Sequence, residues 1–191
     1  MRARLIVAVL TALCIPALAL AAPPKGFSVL VGSGNHTNET AAAGTPQSYD
    51  SGGFALGFDV QLPQGESTSL NVLYLLWLDS APITNEMPIA EAAIVESVLA
   101  LQMRYWPTEA MFFGAHLGLY QQALAFDFLQ PEDGLGLGFG VAGGLEVELN
   151  EKVRLTLAAQ YDRAPSMSVI RGLDATDLSG FTLLLGMRFV Q

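Results

Sequence analysis

The stretch Gly53-Phe54-Ala55-Leu56-Gly57-Phe58-Asp59-Val60-Gln61-Leu62 decides the fold. Phe54, Leu56, Phe58, Val60 and Leu62 are large and apolar, while the residues between them are small or polar. Side chains of a strand point alternately to opposite faces, so a period of two marks a strand with one apolar face. The pattern recurs over Leu70 to Leu78, Leu99 to Tyr105, Met111 to Leu119, Leu135 to Val147, Val153 to Tyr161 and Phe181 to Phe189. With a shorter first strand carrying Phe27, Val29 and Val31, the chain holds eight such segments.

The apolar stripes contain no charged residue, and Lys or Arg on the lipid face of a barrel costs roughly 2 to 4 kcal/mol at the bilayer midplane. The stripes therefore suit lipid. Among the 191 residues 51% are hydrophobic and 14% charged, with a mean hydropathy of +0.40. After the N-terminal region no uncharged run reaches the ~20 apolar residues of a spanning helix; the segment from Ala110 to Phe126 is interrupted by His116, Gln121 and Gln122. The connections alternate between long (Asn35 to Ser51, Ser80 to Glu91, Gln122 to Gly134, Ala164 to Ser179) and short (Pro63 to Glu66, Pro107 to Thr108, Asn150 to Lys152), as in outer-membrane barrels with short periplasmic turns. The expected fold is all-β: an eight-stranded antiparallel transmembrane up-and-down β-barrel with both termini on the periplasmic side. A soluble barrel would reverse the faces, but runs such as Gly136, Gly138, Gly140, Ala142 and Gly144 make a poor solvent surface.

Arg2 and Arg4, the apolar run Leu5 to Leu20 and the Ala19-Leu20-Ala21 site form the three parts of a secretory signal peptide. Residues 1–21 are expected to be removed, leaving 22–191 as the barrel, with 191 − 21 = 170 residues and a formal charge of 7 − 18 = −11. Cys14 leaves with the signal peptide, so no disulfide is expected. Nine Lys and Arg against 18 Asp and Glu argue against nucleic acid as a partner.

The inward positions divide by depth. Near the periplasmic ends they read Asp59, Gln61, Asn71, Gln102, Arg104, Glu146, Glu148, Arg154 and Arg188, a polar floor in which Glu146 and Glu148 are expected beside Arg154. Buried charges are costly unless paired, so a stabilising role outranks catalysis there. Toward the external ends they become Leu73, Leu75, Trp77, Ala92, Ile94, Val98 and Ala100, with a glycine ladder at Gly136, Gly138 and Gly140. Such residues are compatible with an open pocket for an alkyl chain and with a filled core, since eight-stranded barrels take both forms.

At the mouth of this upper half lie His36, just past the first strand, and Asp79 with Ser80 at the top of the third. Imidazole, carboxylate and hydroxyl are the parts of an acyl-transfer site. His116 points inward in mid-strand and reads as a lumenal hydrogen-bonding group.

His36 and the Asp79-Ser80 pair, 79 − 36 = 43 positions on, together with Gly52-Gly53-Phe54, Met187-Arg188-Phe189 and the apolar upper lumen, resemble the PagP-type lipid A palmitoyltransferases. Pro46, Pro131 and Pro165 are similar to prolines that in that family weaken strand pairing; proline removes a ladder donor. The resemblance implies a monomeric outer-membrane enzyme moving a palmitoyl chain from a phospholipid donor to lipid A. His36 would be general base, Asp79 and Ser80 would complete the site, and Leu73, Leu75, Trp77, Gly136, Gly138 and Gly140 would line the acyl pocket. It implies no metal and no cofactor. The alternative is a non-enzymatic barrel, structural or conducting small hydrophobic molecules in the manner of the OmpW type.

Overall fold

The computed structural model describes residues 25–42, 45–81, 92–125, 132–169 and 176–191. The expected signal peptide, Cys14 and Pro131 lie outside them. The described chain forms β1 (Gly26–Ala42), β2 (Thr45–Pro63), β3 (Thr68–Ala81), β4 (Ala92–Thr108), β5 (Met111–Ala125), β6 (Glu132–Asn150), β7 (Val153–Val169) and β8 (Thr176–Val190). Each strand pairs antiparallel with its sequence neighbours, and β1 pairs with β8, closing the barrel. Closure leaves no strand edge to be satisfied in lipid. Gln191 N donates to Lys25 O at 3.0 Å, so both described termini meet at the end that carries the short turns after β2, β4 and β6.

The stripes face outward as their period demands. Leu117 and Leu137 are 72% and 74% exposed, and Phe58, Leu101, Met103 and Val141 belong to the same belt. A surface this apolar is stable against lipid and not against water. Phe27 and Phe189 stack at 4.9 Å near the rim that carries the short turns.

The strands run further than the hydrophobic pattern does. The stretch expected as a loop from Asn35 to Ser51 is largely hairpin, with β1 and β2 in register from His36↔Ser51 to Ala42↔Thr45. Phe54 consequently lies well inside β2. Extension beyond the lipid belt needs only ladder hydrogen bonds and alternating polar side chains, and carries no apolar stripe to announce it.

Pro165 marks an irregularity. The β6–β7 pairing shifts between Leu135 and Phe139, and the β7–β8 pairing shifts between Ala164 and Met167. Proline has no N–H to donate, and the bulge reverses the parity of the strand so that both Ala164 and Met167 point into the lumen.

Candidate functional site

The inward faces build three polar levels, the lower two linked through Gln102, which accepts from Arg104 Nε at 2.6 Å and lies 3.5 Å from His116 Nδ1. At the floor, Arg188 donates from Nε to Glu146 Oε1 at 2.8 Å and from Nη2 to Asp59 Oδ2 at 2.9 Å. Arg104 Nη1 lies 2.9 Å from the same Asp59 oxygen, and its guanidinium stacks 4.4 Å over the Phe112 ring. Asn71 bridges Asp59 and Gln61. Two carboxylates thus face two guanidiniums, all buried. The expected partner of Glu146 is corrected: Arg154 registers opposite Glu148 at the rim, where the two pair at 3.3 Å and Glu148 is exposed. Glu146 lies one pleat deeper, within reach of Arg188.

Halfway up, His116 Nε2 lies 2.8 Å from Asp162 Oδ1 and 3.1 Å from the Tyr120 hydroxyl, which itself donates to Asp162 Oδ1 at 2.5 Å. Gln160 Nε2 donates to both Asp162 oxygens. His116 is the lumenal hydrogen-bonding residue its parity suggested.

The glycine ladder of β6 faces occupied space. A Cβ at Gly138 would come within 2.6 Å of Tyr120 Cδ2 and of Arg163 O, one at Gly136 within 2.8 Å of Met167 Cγ, and one at Gly140 would strike the His116 ring. The volume that glycine leaves is filled by Tyr120, His116 and Met167 from the neighbouring strands. Leu73, Leu75, Trp77, Val98 and Ala100 are buried in the same core; the side chains of Ala92 and Ile94 lie outside the described residues. Of the two forms open to an eight-stranded barrel, these residues adopt the filled core.

The third level contains His36 and Asp79. His36 lies within β1, not in a loop beyond it, and its even position turns the ring inward, where it is 2% exposed. The ring lies edge-on to Trp77 at 5.0 Å and is seated against Gly180, where any Cβ would collide with it. Trp77 is held in turn by its Nε1–H, donated across the lumen to Thr182 Oγ1 at 3.0 Å.

His36 Nδ1 stands 2.9 Å from Asp79 Oδ2 and 2.7 Å from Glu96 Oε2. Both neighbours are carboxylate oxygens, so the proton is assigned to Nδ1, whose alignment directs it to Asp79. Ser51 Oγ donates to Asp79 Oδ2 at 3.0 Å. On the other side Gln122 Nε2 donates to Glu96 Oε1 at 2.9 Å and to Asn38 Oδ1 at 2.6 Å, and Asn38 Nδ2 donates to Glu96 Oε1 at 3.3 Å. Five strands, β1 to β5, are tied together here.

A carboxylate holding the Nδ1–H of a histidine is the orienting half of a catalytic triad. The other half needs a hydroxyl at Nε2, and among the described side chains Nε2 is buried without a hydrogen-bond partner. Ser80 is in register with Gly52 and Ala93; its side chain lies outside the described residues. Glu96, Ser51, Asn38 and Gln122 were not singled out from the sequence. Counting back by twos from Gln102 places Glu96 inward, the signal by which it was available.

The sequence matches no protein-family model and no curated protein. The fold has relatives among solved structures. Neisserial surface protein A aligns over 87% of this chain and 100% of its own with a TM-score of 0.51 at 13% identity. The outer membrane protein OprG from Pseudomonas aeruginosa aligns over 88% and 97% with a TM-score of 0.52 at 12% identity. The outer membrane protein AlkL aligns over 92% and 95% with a TM-score of 0.50 at 16% identity. At such identities the likeness is one of fold. The chain is an eight-stranded outer-membrane β-barrel, and its lipid-facing belt places it in that membrane.

Proposed function

We propose that this protein is a non-enzymatic barrel of the outer membrane, a plugged scaffold that fixes its external-end segments at the cell surface. One observation carries the reading: the inward glycines Gly136, Gly138 and Gly140, where an acyl chain would need room, already seat Met167, Tyr120 and His116. The polar levels add two cross-lumen ties, from His36, Asp79 and Glu96 above and from Asp59, Glu146, Arg104 and Arg188 below. Such ties join strands on opposite sides of the lumen and hold the barrel in register.

Acyl transfer to lipid A by His36, Asp79 and Ser80 is the competing use of the upper level, supported by the His36–Asp79 contact and opposed by the packed lumen beneath. Mass spectrometry of lipid A from cells with and without the gene separates the two. The plugged barrel leaves the spectrum unchanged, and a gain of one acyl chain would overturn it.

Passage of small hydrophobic molecules through the wall is a second non-enzymatic reading, favoured by the interrupted pairing on both sides of Pro165. Uptake of a labelled short alkane by the same pair of strains tests it, with equal rates expected of a plugged scaffold.

A further inference from the structure

We propose that His36, Asp79 and Glu96 form a binding site for one divalent transition-metal ion of the Zn²⁺ class. Their ligand atoms lie within 4.8 Å of one another, and all three residues are buried. Nδ1 is 2.9 Å from Asp79 Oδ2 and 2.7 Å from Glu96 Oε2. Donors sharing a Zn²⁺ at about 2.1 Å stand roughly 3.0 to 3.4 Å apart, so the ion is admitted when both carboxylates draw back a few tenths of an ångström from Nδ1 and their oxygens swing toward one another.

Charge supplies an independent reason. The floor opposes two carboxylates with two guanidiniums, whereas among the described residues no Lys or Arg is paired with Asp79 or Glu96. Even with a protonated imidazole the upper level keeps one net negative charge inside the barrel, a costly condition. It shows in the bonding: the Nδ1–H is aligned on Asp79 Oδ2, and Glu96 Oε2, fully buried 2.7 Å from Nδ1, has no hydrogen-bond partner, nor does Asp79 Oδ1. A divalent ion that replaces the Nδ1 proton leaves neutral imidazole, two carboxylates and two positive charges, a sum of zero, with the proton released to solvent. Glu96 Oε1 is already oriented by Asn38 and Gln122, and Asp79 Oδ2 by Ser51, the outer support that metal-binding carboxylates require. One imidazole among the donors selects Zn²⁺-class ions over Mg²⁺ and Ca²⁺, which prefer oxygen throughout.

The test uses the barrel extracted from outer membranes in detergent, stripped with chelator and titrated with Zn²⁺ by calorimetry, with bound metal counted by mass spectrometry. One Zn²⁺ per barrel is expected, undisturbed by a hundredfold excess of Mg²⁺. Glu96→Gln should weaken binding at least tenfold, while His116→Gln should keep the ion. Substoichiometric binding to the folded protein, equal binding by Glu96→Gln, or loss of the ion in His116→Gln would each overturn the proposal. Co²⁺ titration of the unmodified barrel decides the matter if a variant does not fold: visible d–d bands saturating at one equivalent support the site, and their absence refutes it.

Discussion

Replacing Arg188 with Met removes a fully buried guanidinium that holds two carboxylates, while keeping much of its volume. The variant leaves Asp59 and Glu146 facing Arg104 alone, so one buried negative charge is uncompensated. Breaking a buried pair from one side costs about 3–5 kcal/mol. With a urea slope of about 2 kcal/mol per M, the unfolding midpoint falls by roughly 1.5 to 2.5 M. Trp77 and Trp106, the two tryptophans, are both buried in the lumen, so their fluorescence in vesicles follows the opening of the barrel directly. Adding Glu146→Gln to the variant restores neutrality, because the Asp59–Arg104 pair at 2.9 Å remains, and at least about 1.5 kcal/mol of the loss should return as coupling. A loss below about 1 kcal/mol in Arg188→Met, or no recovery in the double variant, would refute a dry, charge-balanced floor.

Gly140→Leu should destabilise the barrel by about 1–3 kcal/mol through overpacking against His116, read by the same urea titration; a stable Gly140→Leu barrel would indicate free space in the upper lumen. Leu117→Arg, in the most exposed part of the belt, should cost about 2–4 kcal/mol in vesicles, and a neutral effect would remove that stripe from lipid. A protease-cleavable tag at Gly65 or Glu151, in the short turns, should be protected on intact cells, whereas one inserted within residues 82–91 should be cut; the opposite result would invert the barrel in its membrane.

The membrane-spanning part of each strand is legible because lipid imposes a one-sided alternation, and Phe54 to Leu62 or Val153 to Tyr161 display it without interruption. Beyond the belt that pressure stops. Residues 35–51 read as a loop because their inward members, His36, Asn38 and Ser51, are polar and their outward members need not be apolar, yet the ladder continues through them. Asp79 and His36 were visible as candidates by type; their approach to 2.9 Å follows from inward parity and from Gly180 accepting the His36 ring. Glu96 stands amid apolar residues that mask it, although the period that places Val98, Ala100 and Gln102 inside places it there too. The bulge at Pro165 hid Met167, since a shifted register reverses parity from that point on. Whether small inward residues leave a pocket or a seat for a neighbour cannot be decided on one strand; Gly138 is filled by Tyr120, which reaches it from the adjoining strand.

Conductance across a planar bilayer measures the filled lumen most directly. Purified barrel reconstituted at single-molecule density should give no discrete current steps up to 100 mV, a voltage worth about 2.3 kcal/mol per charge crossing the membrane, because every level from Arg188 to His36 is closed by packed side chains. Reproducible unitary steps from the folded, unmodified protein would contradict a plugged barrel.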